Sequence, residues 1–240
     1  MEKIKQLQQM IDESKHIVFF GGAGVSTESH IPDFRSTDGL YHQTYKYPPE
    51  VMVSHSFYRD HTKEFFDFYK NKMIFLEAKP NKAHLKLVEL EKAGKLDAIV
   101  TQNIDGLHQA AGSKNVFELH GSVHRNYCTK CHKFYDVNYV VNTEDIPYCE
   151  DCGGIIKPDV VLYEEGLDGA VMQGAIEAIA GADMLIIGGT SLVVYPAAGM
   201  IDYFRGKNLV VLNRDATSRD KQADLCITDP IGEVLGKIQV

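Results

Sequence analysis

Apolar residues recur along this chain with two spacings. Short β-branched or aliphatic runs predict buried strands at His16–Phe20, Ala98–Thr101, Val116–Leu119, Val160–Tyr163, Met184–Ile187, Leu209–Leu212 and Leu225–Ile227. Between them the spacing turns helical. Met1–Lys15 carries Ile4, Leu7 and Ile11 on one side, and Lys82–Ala93 turns Leu87 and Leu90 inward. Gly169–Ala180 does the same with Val171, Ala175 and Ile179, and Pro196–Phe204 is helical in pattern. Strands alternating with helices are the signature of a parallel sheet covered by helices, so an α/β fold is expected.

Two stretches interrupt the alternation. Residues 40–80 are rich in aromatics and prolines, with a helical patch around Phe65, Phe66 and Tyr69, and residues 122–158 carry two cysteine pairs and little regular pattern. Both read as insertions forming one smaller domain, leaving 1–39, 81–121 and 159–240 to the sheet. The polar or glycine-rich segments Gly21–Thr27, Gln102–Asp105, His120–Gly121, Gly188–Ser191 and Asn213–Arg214 each directly follow a predicted strand. Open parallel sheets bind ligands outside the carboxyl ends of their strands, so these groups are expected around one crevice.

The 240 residues suffice for a sizeable core, and 44 % hydrophobic with 24 % charged residues is an ordinary globular balance. The formal net charge of −8 argues against a nucleic-acid phosphate backbone as main partner and favours basic, lysine-bearing protein surfaces. No apolar run approaches the roughly 20 residues of a membrane span, and the first helix lacks the features of a signal peptide. Five cysteines, four of them in close pairs, suggest a metal site in a reducing compartment, so a cytoplasmic protein is expected.

The chemistry-bearing motifs are uneven in specificity. Gly21-Gly22-Ala23-Gly24-Val25-Ser26-Thr27 allows a tight turn and close approach to a pyrophosphate. It is only part of a dinucleotide fingerprint, because Thr27 replaces the third glycine and no acid ends a strand about 20 residues on; this disfavours an ordinary NAD-dependent dehydrogenase. In Ile31-Pro32-Asp33-Phe34-Arg35-Ser36 the aromatic and guanidinium suit a flat ring and phosphates, while a proline-initiated turn is the bland alternative. Thr101-Gln102-Asn103-Ile104-Asp105-Gly106-Leu107-His108 concentrates groups that can hold ribose hydroxyls and a carboxamide, although Asn103 or Asp105 also suits a helix cap. His120, set after a strand and before Gly121, suits proton removal from a hydroxyl near neutral pH. Cys128-x2-Cys131 and Cys149-x2-Cys152, 17 residues apart, match a tetrahedral zinc site whose four protein ligands leave no place for an activated water. Cys226 lies in an apolar strand and reads as a core residue.

In this order the motifs resemble the sirtuin family, of bacterial type, from about residue 16 to residue 235; Pro158-Asp159-Val160-Val161, Gly189-Thr190-Ser191 and Asn213 complete the match. The resemblance implies a Rossmann-like domain with helices on both faces, a smaller domain built from a structural zinc site and a helical insertion, and an NAD-dependent protein lysine deacylase. NAD would be a consumed co-substrate and acylated protein lysines the partners, with nicotinamide, O-acyl-ADP-ribose and free lysine as products. By similarity, Gly22, Ala23, Gly24, Thr27, Asp33, Phe34 and Arg35 would contact NAD. Ile104 and Asp105 would hold the carboxamide, and Gln102 and the catalytic Asn103 the nicotinamide ribose. Gly189, Thr190, Ser191, Asn213 and Ile231 would serve the phosphates and adenosine. His120 would be the general base, and Val161, Tyr163 and Val194 would line the acyl-lysine channel, the peptide adding as a strand. Tyr69-Lys70-Asn71-Lys72 approaches the Tyr-x-x-Arg of relatives that favour succinyl groups, with lysine at the arginine position. Two departures stand out. His30 replaces a glycine, and Glu164 in Tyr163-Glu164-Glu165 replaces the glycine of Phe-Gly-Glu. Mono-ADP-ribosyl transfer is the rival reading within enzymes and a zinc-ribbon nucleic-acid binder the rival outside them. Oligomeric state leaves no mark in the sequence.

Overall fold

The computed structural model describes residues 2–33 and 46–240. Its strands, in chain order, are β1 (Ile17–Gly21), β2 (Leu96–Thr101), β3 (Val116–Glu118), β4 (Gly121–Cys128), β5 (Phe134–Tyr135), β6 (Ile156–Val160), β7 (Met184–Gly188), β8 (Asn208–Leu212) and β9 (Leu225–Ile227). Six of them form one sheet in the order β3-β2-β1-β7-β8-β9, every neighbouring pair parallel. The chain runs outward from β1 to β3, then resumes on the other side of β1 at β7. Loops leaving β1 and β7 therefore diverge and open a crevice at the switch point.

The helices are α1 (Glu2–Glu13), α2 (Pro49–Met52), α3 (His55–Asp60), α4 (Thr62–Lys72), α5 (Lys82–Lys92), α6 (Leu107–Ala111), α7 (Val137–Asn142), α8 (Gly169–Gly181) and α9 (Ile231–Leu235). Alternate strand residues sort into two cores. Ile17, Phe19, Met184, Ile186, Val210 and Leu212 cluster with Leu7 and Ile11 of α1, Leu87 and Leu90 of α5 and Val234 of α9. The intervening Val18, Phe20, Leu185, Ile187 and Val211 cluster with Ala175 and Ile179 of α8 and with Met200 and Ile201. Successive strand residues face opposite ways, so runs without a polar position mark a sheet covered on both sides. The expected α/β class, a parallel sheet with helices on both faces, is the one found. Asn81 caps α5 by accepting from Ala83 N at 2.9 Å, and its amide donates to the Val25 carbonyl at 2.8 Å, tying the loop after β1 to that helix.

The remaining strands make a second, antiparallel sheet in the order β5-β4-β6. A third core joins Phe57 and Tyr58 of α3 and Phe65, Phe66 and Tyr69 of α4 to Val123, Tyr135, Val140, Ile156 and Leu162. Residues from both interrupting stretches thus share one interior.

Two expectations need correction. Val160–Tyr163 is not a strand of the parallel sheet. The strand is Ile156–Val160 and pairs with β4; its buried Ile156, Pro158 and Val160 alternate with Lys157 and Asp159, which hid it from a search for apolar runs. Residues 122–158 are regular in structure, holding most of β4 together with β5, α7 and the start of β6. The helical pattern at Pro196–Phe204 is met by a 3-10 helix, Ala197–Tyr203. His30 does adopt the left-handed conformation, with φ +64° and ψ +23°, where histidine is better tolerated than most side chains.

Candidate active site

The five polar segments that follow strands all line one cavity of about 610 Å³ at the carboxyl end of the parallel sheet, within the roughly 300–1,000 Å³ typical of small-molecule sites. At the switch point the loops after β1 and β7 lie backbone on backbone. Gly22 N donates to Gly188 O at 3.1 Å and Gly24 N to Gly189 O at 2.8 Å. Gly189 sits at φ +57°, and a Cβ there would collide with the Gly24–Val25 backbone. A glycine is required there for the two loops to approach so closely.

The loop after β2 crosses this floor. Gln102 Nε2 donates to Thr190 Oγ1 at 3.0 Å, joining the ends of β2 and β7. Ser26 Oγ donates to Asp105 Oδ2 at 2.6 Å and accepts from Asn103 Nδ2 at 3.1 Å. Because the serine proton goes to the carboxylate, its oxygen can only accept from Asn103. The amide orientation is thereby fixed and Asn103 Oδ1 is left as an acceptor. Asp105 Oδ1 accepts from Leu107 N at 2.9 Å, closing the turn that leads into α6. The cap position itself is Gly106, which makes no side-chain cap bond, so Asp105 is not the helix cap but a member of the cavity wall.

His120 occupies the turn from β3 to β4. Its Nδ1 lies 3.0 Å from Gln102 O. A carbonyl can only accept, so Nδ1 carries the proton and Nε2 is the basic nitrogen. Burial holds the imidazole pKa below the ordinary histidine value, although the bond to the Gln102 carbonyl works the other way. His120 is therefore neutral at pH 7, as a general base must be. Gly121, at φ +74°, follows; a Cβ there would fall on the Asp159 carbonyl oxygen, and its absence lets β4 and β6 close beneath the histidine.

The same cavity is also lined by Val161, whose N–H donates to His120 O at 3.0 Å, by Tyr163 and Val194, and by Tyr69 and Lys72 of α4. Tyr69 is packed inside the third core, stacked on Phe65 with ring centroids 5.6 Å apart. Among the described residues its hydroxyl is buried without a hydrogen-bond partner, and burial pushes its pKa up, so it stays a donor. Every described candidate outside the cysteines borders this cavity, Asp33 and Ile231 included. Phe34 and Arg35 lie outside the described residues. Ser26 was not singled out from sequence, although its partner Asp105 was; a serine in a glycine-rich turn carries no mark of a bond to a residue 79 positions away.

The four paired cysteines converge at the far end of the β4–β6 ladder. Their sulfurs all lie within 4.8 Å of one another, with Cys128 and Cys152 at 3.3 Å and Cys131 and Cys149 at 3.6 Å. A tetrahedral zinc ion with bonds of about 2.3 Å sets its sulfurs about 3.8 Å apart, so the cluster fits one such ion. The Lys130 and Cys131 N–H groups point at Cys128 Sγ, at 3.4 and 3.5 Å, and the Tyr135 hydroxyl at Cys149 Sγ, at 3.2 Å, the outer support that thiolate ligands need. Cys226 is half-buried in β9 at the edge of the second core.

Comparison with known proteins bears on this arrangement. The family model described as "Sir2 family" matches residues 22–196. A protein of Clostridium acetobutylicum named NAD-dependent protein deacetylase is 62 % identical over 238 residues, covering 98 % of this chain and 97 % of its own. One of the same name from Clostridium perfringens is also 62 % identical, covering 99 % and 98 %. Among solved structures, a Sir2 protein with a deacetylated p53 peptide and 3′-O-acetyl-ADP-ribose superposes with a TM-score of 0.90 at 39 % identity, covering 97 % of this chain and 95 % of that one. Another, described as Sir2 bound to acetylated peptide, gives a TM-score of 0.85 at 39 % identity with the same coverage.

Proposed function

The chain belongs to the Sir2 family, and from that membership we propose that it removes acetyl groups from protein lysines at the expense of NAD, giving nicotinamide, O-acetyl-ADP-ribose and free lysine. The observation that carries the reading is His120, neutral and oriented by Gln102, on the same cavity wall as the Asn103–Ser26–Asp105 chain. NAD is a substrate here: its nicotinamide departs as the acyl oxygen attacks the ribose, one water supplies the atoms that release the lysine amine from the acyl carbon, and no hydride moves.

Each residue has a definable part. Gly22, Ala23, Gly24, Thr27 and Gly189 to Ser191 hold the phosphates on backbone N–H groups at the switch point, and Asn213 and Ile231 take the adenosine end. Ile104 and Asp105 hold the carboxamide, and Asn103 Oδ1 accepts from a ribose hydroxyl. His120 Nε2 removes the hydroxyl proton that must leave for that oxygen to attack the acyl carbon. Val161, Tyr163 and Val194 enclose the acyl-lysine stem, and the peptide lies along residues 160–165. Asp33, Phe34 and Arg35 are assigned to NAD by family resemblance. The division into 1–39, 81–121 and 159–240 against 40–80 and 122–158 belongs to the same proposal; three separate apolar cores support it, with β6 joining its two parts. So does a cytoplasmic location, supported by four thiols grouped for a metal. Among the described residues no helix is long and apolar enough to cross a membrane. The test is mass spectrometry of an acetyl-lysine peptide incubated with the protein. Loss of the acetyl group only when NAD is added supports the reading; loss without NAD, or none with it, removes it.

Two expectations arise from this wall. Nicotinamide, as first product, inhibits in a manner not simply competitive with NAD. Asp105→Asn weakens both the inhibition and turnover by roughly tenfold or more, the scale of a lost charge-assisted hydrogen bond. Inhibition constants for the two proteins check this, and an unchanged constant in the variant removes Asp105 from the pocket. Acyl preference follows from Tyr69 and Lys72. The Tyr69 hydroxyl can donate to a distal carboxylate, but lysine lacks the planar fork that arginine offers. Acetyl-lysine is therefore the better substrate and succinyl-lysine is turned over measurably, with kcat/KM lower by about tenfold. Lys72→Ala lowers only the succinyl rate. A tenfold preference for succinyl-lysine that Lys72→Ala abolishes would overturn this.

A further inference from the structure

Residues 161–165 leave the β4–β6 sheet after Val160 and run along the cavity with few main-chain ties. Val161 N donates to His120 O at 3.0 Å. Tyr163 N donates to Val53 O and His55 N to Tyr163 O, each at 3.0 Å, making a single parallel bridge to the residues that start α3. Glu165 closes the turn on itself: its N–H donates to Leu162 O at 3.0 Å, and its carboxylate accepts from Leu162 N at 2.9 Å and lies 3.1 Å from Lys157 Nζ and 2.8 Å from His55 Nδ1.

Glu164 is different. It stands at φ +77°, a conformation that glycine adopts freely and glutamate does not. A side chain that costs free energy at this point persists only where its surroundings hold it. What holds it is α3: Glu164 Oε2 accepts from Ser56 N at 2.8 Å and from Ser56 Oγ at 2.7 Å. Those two donors, with the charges of His55 and Arg59 nearby, keep the carboxyl below its usual pKa and hence ionised at neutral pH. Ser56 is itself fixed, because Ser54 caps α3 by accepting from Phe57 N at 3.1 Å. Tyr58 of α3 then packs edge-on against Phe65 of α4, ring centroids 5.1 Å apart, and Phe65, Tyr69 and Lys72 line the cavity.

We propose that Glu164 is a positioning residue for the acyl-peptide: its carboxylate straps residues 161–165 to α3, and so sets the strand beside which the peptide lies against the helix pair on the acyl side. The side chain is engaged with Ser56 and acts through the main chain of its own segment. Glutamate at this site exchanges the easy turn of a glycine for a fixed distance between the peptide segment and the helices. This rests on the proposed function, since the peptide is taken to lie along residues 160–165.

The test uses Glu164→Gly, which keeps the backbone conformation and removes the strap, with Glu164→Gln and Ser56→Ala beside it. In Glu164→Gly the KM for an acetyl-lysine peptide rises roughly threefold to tenfold, as for the loss of one net hydrogen bond, while kcat and the KM for NAD stay within about twofold. Glu164→Gln, whose amide oxygen still accepts from Ser56, recovers most of the affinity, and Ser56→Ala shows a smaller rise that is not added to that of Glu164→Gly. Amide hydrogen exchange across residues 161–165 quickens in Glu164→Gly. That readout needs no turnover, so it decides the strap even if the wild-type protein fails to deacetylate, a result that would fall on the proposed function alone. Unchanged exchange together with unchanged peptide KM in Glu164→Gly overturns the strap. So does a parallel fall in kcat, NAD affinity and melting temperature, which would mark a merely structural residue.

Discussion

Replacing His120 with alanine lowers deacetylation by about 10²–10⁴-fold, the range for losing a positioned acid–base group, and leaves NAD affinity near its native value. The separation follows from geometry. The histidine touches the floor of the cavity through one bond, to Gln102 O, while Gln102 is independently held by Thr190. The loops after β1 and β7, the proposed phosphate site, are joined through Gly22 and Gly24, and those bonds do not involve His120. The pH profile carries the same signature. Burial lowers the His120 pKa, and the base works when neutral, so the active form persists to more acidic pH than for an ordinary histidine. The acid limb of kcat/KM therefore lies below about pH 6.5, the unperturbed value, and it is absent from the residual activity of His120→Ala. Wild-type turnover in the variant would place the base elsewhere, and an acid limb above pH 6.5 would contradict the buried, neutral imidazole.

The second large effect comes from the metal. Cys149→Ser or prolonged chelation removes the zinc ion and with it nearly all deacetylation, although the cysteines are remote from His120 along the ladder. β4 joins the two places: Gly121 pairs with Val160 beside the cavity, and Cys128, one of the four clustered cysteines, pairs with Ile156 at the other end. Zinc binding in small modules is of the order of 10–16 kcal/mol and is realised as folding free energy. Among the described residues the antiparallel sheet has three strands, and without the ion its metal-proximal end is left to a short β5 and two exposed turns. Fraying then runs toward Gly121 and Val161, whose N–H is bonded to His120 O. Elemental analysis should show about one zinc per chain in active protein and almost none in the variant. Near-ultraviolet circular dichroism should show loss of tyrosine order around Tyr135 and Tyr139. Full activity in protein free of metal would contradict the account.

Much of the parallel sheet is legible in sequence because burial on both faces leaves no polar position in runs such as Ile17–Phe20 and Met184–Ile187. The crevice is legible for a related reason: polar groups directly after such runs have nowhere to go but the strand ends. The antiparallel sheet hides because its strands carry Ser122, His124, Arg125 and Asn126 in β4 and Lys157 and Asp159 in β6. Asn126 is fully buried, its Nδ2 donating to the backbone carbonyls of Val123 and Tyr135, so a polar residue there is interior. The metal carries part of the work that a larger apolar core would otherwise do, and it was the cysteine spacing that announced it. Ser26 and Glu164 mark what local sequence cannot express. One acts through a partner 79 residues away and the other through Ser56, 108 residues before it. The departure from glycine at Glu164 was visible in sequence, but not the helix that receives its carboxylate.

The central claim is that NAD is consumed as the acceptor of the acyl group, and a product balance tests it most directly. Purified protein is incubated with NAD and an acetyl-lysine peptide, and nicotinamide, O-acetyl-ADP-ribose and deacetylated peptide are quantified together over time. The account predicts that the three appear in equal amounts, that none appears without the peptide or without NAD, and that all three fall together in His120→Ala. Formation of NADH, of free acetate with NAD left intact, or of ADP-ribose attached to protein in place of O-acetyl-ADP-ribose would contradict it.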